Sequence, residues 1–156
     1  MLLRSILFGV VLFTSTGCIV KQKPIVSPVH STNKIVIEAQ KHLGKPYKYG
    51  ATGPKSFDCS GFVYAVHKSF GITIPRTSLD QSQIRGYRLS RTELRVGDIV
   101  FFDTSSKGHV NHSGIYLGNS KFIHASSGKA FSVTISDLNG WYKDKFKWGK
   151  HINANK

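Results

Sequence analysis

Cys59 is the residue in this chain best placed to do chemistry. It sits in the stretch Phe57-Asp58-Cys59-Ser60-Gly61-Phe62-Val63, and downstream Phe62, Val63, Val66 and Phe70 recur with it at the spacing of one helical face. Gly71 then supplies a stop signal. The pattern puts Cys59 in the first turn of a buried helix, where outward-pointing backbone N–H groups favour a thiolate, the nucleophilic form of cysteine. A cysteine on a buried face can also simply pack, so the reading depends on a base. The chain has seven histidines, and spacing selects two. Positions 112, 114 and 116 share one face of a strand, as do 122, 124 and 126 on the next. A three-residue loop at 118–120 makes opposed positions sum to 238, so that Gly114 faces His124 and His112 lies diagonally beside it. Diagonal neighbours are about 7–8 Å apart, within reach of long side chains, and glycine opposite His124 leaves room for the rings. A two-residue loop would put the histidines on opposite faces.

Helices must present the thiol and strands the imidazoles. Asn33 caps a helix along Ile35, Val36, Ala39 and Leu43, which Gly44-Lys45-Pro46 ends. A Gly-, Pro- and Thr-rich loop then delivers the chain to Asp58. After Gly71, an extended connector leads to a short helix opened by Thr77 or Ser78. There Ser78 and Gln81 have the spacing of a capping box, and Gly86 ends the helix. Strands are expected at Ile99–Phe102 (apolar on both faces), His112–Leu117, Lys121–Ser126, Val133–Ile135 and Lys145–Ile152. Helices first and strands afterwards predict an α+β domain, helices packed on one face of an antiparallel sheet.

Three histidines, His109, His112 and His124, raise a zinc site as an alternative. The 109–112 spacing falls at a loop-to-strand junction, where it has no regular geometry, and no carboxylate lies nearby in sequence as a base. No metal and no cofactor is expected.

The N-terminus bears on location. Arg4, a short apolar run from Ile6 to Phe13 and the small residues Thr14-Ser15-Thr16-Gly17 read as an export signal, too short to span a bilayer permanently. Cys18 follows, and the segment resembles the lipobox of bacterial lipoproteins, with Ser15 where Leu is usual. Residues 1–18 are therefore expected to be a signal peptide with Cys18 lipidated, and residues 19–32, with Pro24 and Pro28, a flexible tether. The expected location is the bacterial cell envelope, lipid-anchored on the periplasmic side of a membrane or at the cell surface. Lys and Arg number 22 against 8 acidic residues, a net charge of +14. In an exported protein that surplus points to anionic wall polymer or lipid headgroups rather than nucleic acid. Lys34, Lys41, Lys45, Lys48, Lys143, Lys145, Lys147 and Lys150 are expected to contribute to this basic surface, with Lys21 and Lys23 of the tether.

Three blocks carry a family resemblance: Asp58-Cys59-Ser60-Gly61-Phe62-Val63, His112-Ser113-Gly114-Ile115-Tyr116-Leu117-Gly118 and Phe122-Ile123-His124-Ala125-Ser126. With Pro46-Tyr47-x-Tyr49-Gly50, Pro75-Arg76-Thr77-Ser78 and Leu94-x-Val96-Gly97-Asp98 in order between them, the chain resembles the NlpC/P60 cysteine peptidases. The resemblance covers residues 33–152, leaving 153–156 as a tail, and the layout is similar to single-domain lipoprotein members. It implies a papain-like α+β fold and hydrolysis of amide bonds in peptidoglycan stem peptides or crosslinks. By the same resemblance Cys59 is the nucleophile, His112 the base and acid, His124 the orienting group and Tyr47 a donor near the oxyanion. Asp58, Ser60 and Arg76 are implied substrate contacts, although Asp58 reads equally as a helix cap. Two other readings stand beside this one: an idle wall-binding lipoprotein, and an acyltransferase or thioesterase on a related fold.

Overall fold

A computed structural model describes residues 33–152 of the 156. The expected signal with Cys18, the expected tether and the 153–156 tail lie outside the described residues. Three helices come first: α1 (Lys34–Gln40), α2 (Cys59–Lys68) and α3 (Ser78–Ser82). A 3-10 turn at Arg91–Glu93 precedes five strands: β1 (Ile99–Phe102), β2 (His112–Gly118), β3 (Lys121–Ala125), β4 (Val133–Asp137) and β5 (Phe146–Lys150). The strands form one sheet in the order β4-β3-β2-β1-β5, antiparallel throughout. This is the α+β architecture expected.

Strand alternation divides the apolar residues between two cores. Ile99, Phe101, Ile115, Ile123 and Val133 face the helices and pack with Phe57, Phe62, Val63 and Val66. Val100, Phe102 and Phe122 face the other way and pack with Leu138, Tyr142 and Phe146. β1 is therefore buried on both faces, as its unbroken apolar run requires. Two residues assigned to helical faces fall short of the core. Leu43 and Phe70 lie beyond the ends of α1 and α2, where the chain has turned, and are exposed.

Lys150, expected on the basic surface, is buried. Its ammonium donates to the Gly86 carbonyl from the end of β5, which trades hydration for a hydrogen bond inside the fold. Lys34, Lys41, Lys48, Lys143 and Lys147 are exposed as expected, with Lys45 and Lys145 half-buried.

Candidate active site

Asp58 makes the first turn of α2. Its backbone is extended, and its side chain accepts from the Gly61 N–H at 2.7 Å, the geometry of a helix N-cap. The other carboxylate oxygen accepts from the Gly50 N–H at 2.8 Å. Arg76 grips the same carboxylate with both nitrogens, at 3.0 and 2.5 Å, and donates to Ser60 Oγ at 2.9 Å. The three implied substrate contacts, Asp58, Ser60 and Arg76, thus bind one another, and the cap role of Asp58 is present. The partners it holds tie the loop before α2 and the connector after it to the start of the helix. Gly61 is needed there, because a Cβ on it would lie 2.1 Å from the Ala51 carbonyl oxygen.

Cys59, next to this cap, is half-buried. Its sulfur lies 3.6 Å from Ser78 Oγ and 4.0 Å from the Asn111 carbonyl. The backbone N–H of Ser113 also faces it. Asn111 and Ser113 bracket His112, so α2 delivers the thiol to the point where β2 begins. Burial pushes the thiol above its ordinary range, and the charge of Asp58 adds to this. Hydrogen bonds at the sulfur, from Ser78 wherever its hydroxyl is free to donate and from the Ser60 and Ser113 backbone, pull the other way without overcoming it. The helix-terminus effect expected to favour thiolate is outweighed here.

His112 opens β2, and its Nε2 lies 2.8 Å from His124 Nδ1 on β3. The register pairs Ile115 with Ile123 and Tyr116 with Phe122, the expected sum, but it arises differently. The turn has two residues, Asn119 and Ser120, both at positive φ, closed by Gly118 opposite Lys121. A bulge between Tyr116 and Gly118 then shifts the register by one and returns both histidines to one face. Gly114 leaves the space foreseen, since a Cβ there would lie 2.8 Å from the Phe122 ring and 3.1 Å from His124 Cβ.

Beyond the pair, His124 Nε2 lies 2.9 Å from Ser136 Oγ on β4. Tyr142 stacks on the His112 ring at 5.9 Å between centroids and meets His124 edge-on at 5.3 Å. Both histidines are buried in this aromatic surround, and burial pushes His112 down to about 4 and His124 well below its ordinary value. His112 is therefore a neutral imidazole at neutral pH. One ring nitrogen is committed to His124, which leaves Nδ1 free to take a proton.

Two clefts open from this point. One, of about 550 Å³, is lined by Cys59, Tyr47, Asp58, Arg76 and Asn111 among others. The second, of about 470 Å³, is lined by His112, Ser126, Lys129, Ser136, Trp141 and Tyr142 among others. Tyr47 packs on Phe131 at 5.5 Å and stands close enough to Cys59 to feel its charge, and burial raises its phenol. Burial likewise pushes the Tyr142 phenol up to about 12, so both tyrosines are donors at neutral pH.

The zinc alternative is not supported by this geometry. His109 turns its ring to the Lys107 carbonyl at 3.3 Å and lines the Cys59 cleft, not the cleft of the histidine pair. Among the described residues no three His, Cys, Asp or Glu side chains gather into a metal-binding group. The Ser78–Gln81 capping box is also absent. Thr77 is the cap, accepting from the Asp80 N–H at 3.1 Å, while Ser78 and Gln81 turn inward. Ser136 and Tyr142 were not found from sequence. They adjoin the pair only through the β3–β4 register and the fold of the segment before β5.

Residues 44–151 match the NlpC/P60 family profile. The probable endopeptidase p60 of Listeria monocytogenes is 41% identical over 118 residues, covering 76% of this chain and 22% of that protein. The murein DD-endopeptidase MepS/murein LD-carboxypeptidase of Escherichia coli K12 is 36% identical over 130 residues, covering 83% of this chain and 64% of that protein. The chain therefore spans less than two thirds of the length of either relative. Among solved structures, a NlpC/P60 family protein from Bacillus cereus ATCC 10987 superposes with a TM-score of 0.71 at 34% identity, over 78% of this chain and 40% of that one.

Proposed function

The chain belongs to the NlpC/P60 family, and from that premise we propose that it is a cysteine peptidase hydrolysing amide bonds of peptidoglycan stem peptides or crosslinks. The observation that carries the reading is the 2.8 Å His112–His124 pair at the start of β2, with the Cys59 sulfur against the residues on either side of His112. The murein endopeptidase names of relatives support the substrate class and favour the D-alanyl crosslink over the γ-D-glutamyl bond.

In the proposed reaction His112 Nδ1 takes the Cys59 proton as sulfur attacks the scissile carbonyl. This requires the tautomer with the proton on Nε2, donated to His124 Nδ1. His124 then donates from Nε2 to Ser136 Oγ, which completes the relay. Tyr47 and the backbone N–H of Cys59 stabilise the oxyanion. His112 lines one cleft and Cys59 with Tyr47 the other. The acyl half therefore belongs on the Cys59 side and the departing amine, protonated by His112, on the His112 side. Water activated by His112 then hydrolyses the thioester. Asp58 and Arg76 are assigned to the floor of the acyl cleft, where their mutual pairing shapes the surface the substrate meets.

We assign the enzyme to the bacterial cell envelope, exported by residues 1–18, held by lipid on Cys18 and tethered by residues 19–32. The test is mass analysis of purified muropeptides incubated with the full chain and with Cys59→Ser. The reading expects new amine and carboxyl products from the first and none from the second. Unchanged muropeptides would leave a wall-binding protein, and turnover of lipid thioesters instead would favour the acyltransferase reading.

A further inference from the structure

The sulfur of Cys59 ends a buried chain of side-chain hydrogen bonds that the mechanism above does not use. Cys59 Sγ lies 3.6 Å from Ser78 Oγ, which lies 3.1 Å from Ser113 Oγ, which lies 2.9 Å from Gln81 Oε1. The far end is anchored, because Gln81 Nε2 donates to the Ser60 and Pro75 carbonyls, each at 3.0 Å. Gln81 and Ser113 are fully buried and Ser78 nearly so.

Counting protons gives this chain a direction. An amide nitrogen only donates and an amide oxygen only accepts. With Nε2 held by two carbonyls, the oxygen must be the atom facing Ser113, so Ser113 donates to it. A serine hydroxyl has one proton, hence Ser113 Oγ accepts from Ser78. The Ser78 proton is spent in turn, and what Ser78 offers Cys59 is a lone pair.

We propose that Gln81 is a positioning residue which, acting through Ser113 and Ser78, presents a hydrogen-bond acceptor to Cys59 and holds it as the neutral S–H until attack. The catalytic consequence rests on the reading of Cys59 as nucleophile; the hydrogen-bond direction does not. The resting state is then a neutral thiol with His112 a neutral imidazole, and proton transfer to His112 accompanies formation of the S–C bond. Backbone N–H groups of Ser60 and Ser113 already face the sulfur, but a thiolate formed earlier would gain Ser78 as a donor only if Ser78 turned away from Ser113, so that contact costs about one buried hydrogen bond. The other titratable or charged groups around the sulfur and its cleft are Asp58, Tyr47, Tyr49, Arg76, His109, Tyr142 and, between Asn111 and Ser113, His112. Arg76 is already tied to Asp58, and the variants below alter none of these groups.

The test is a titration of thiolate ultraviolet absorbance in the full chain, taken as the difference from Cys59→Ser so that Cys18 cancels. The wild type is expected to have its midpoint above the free-cysteine value of about 8.5. Ser113→Ala releases the Ser78 proton toward sulfur and is expected to lower the midpoint by about half to one unit. Gln81→Met frees the same proton by another route and is expected to shift it in the same direction. In a Ser78→Ala background, Ser113→Ala should have no effect. A wild-type midpoint below that of free cysteine overturns the proposal whether or not the variants fold. So does a fall that persists without Ser78, or no fall in either folded variant. The readout needs no substrate: if muropeptides stay intact while the midpoints move as stated, the proposed activity fails and the hydrogen-bond direction stands.

Discussion

His112 is an imidazole kept neutral by its surroundings. Burial lowers it from 6.5 to about 4, so it can accept a proton at any pH well above 4. If it is the general base, the acid limb of kcat/KM should fall near pH 4 and not near the ordinary histidine value of about 6.5. Stability carries the same sign. The unfolded chain binds this proton more tightly than the folded one, so stability is fully present above about 6.5 and declines as pH falls toward about 4. Thermal melts across that window should show the decline in the wild type and less of it in His112→Asn. The two histidines should also differ in weight. On the proposed mechanism His112→Ala removes the proton carrier, whereas His124→Ala removes only its orienting partner, so kcat on one muropeptide should fall further for the first. Equal loss in both would put His124 in the proton transfer itself. The placement of Cys59, His112 and His124 was legible in sequence because each stands in a locally regular element whose period fixes its face. Ser78 and Gln81 were misread for the same reason. Three-residue spacing after a turn signals a cap, and nothing local says that these side chains turn inward to Ser113, 32 residues from Gln81.

At the scale of elements, two glycines set the site. α2 approaches the loop before it so closely that a methyl group at Gly61 meets a backbone carbonyl, which cannot give way as a side chain would. Gly61→Ala should therefore destabilise the fold by about 1–3 kcal/mol, read as a lower denaturation midpoint at unchanged slope. Gly114→Ala presses on the Phe122 ring, the Ile123 carbonyl and His124 Cβ. It should cost stability as Gly61→Ala does, through the Ile123 carbonyl, and should cost activity besides, because β2 and β3 are pushed apart where the histidine pair must align. The facing of these two strands was legible from side-chain alternation. The device that achieves it was not, since a tight turn plus a bulge and a plain three-residue loop give the same sum of positions. Leu43 and Phe70 were assigned to cores because periodicity continues in sequence past the point where each helix has already ended in space.

At the scale of the molecule, the chain has 22 basic against 8 acidic residues, and among the described residues the basic side chains lie largely on the surface, Lys150 excepted. If that surface holds the enzyme to anionic wall or headgroups, attraction should fade as the Debye length falls from about 10 Å at 0.1 M salt to about 3 Å at 1 M. Sedimentation with intact sacculi should weaken steeply over that range while kcat on a small soluble muropeptide barely changes. Salt-insensitive binding would remove the charge from the account. An unfolded tether of residues 19–32 would span roughly 20 Å, confining a lipid-anchored enzyme to wall near its membrane. All of this presumes that the domain cuts through a covalent intermediate on Cys59. The most direct measurement is therefore mass spectrometry of the full chain, acid-quenched during turnover of a muropeptide. The account predicts an adduct of the acyl half on the peptide carrying Cys59, absent when the substrate is omitted and absent in Cys59→Ala. Turnover by Cys59→Ala, or wild-type turnover with no adduct under rapid quenching while product forms in a burst, would contradict it.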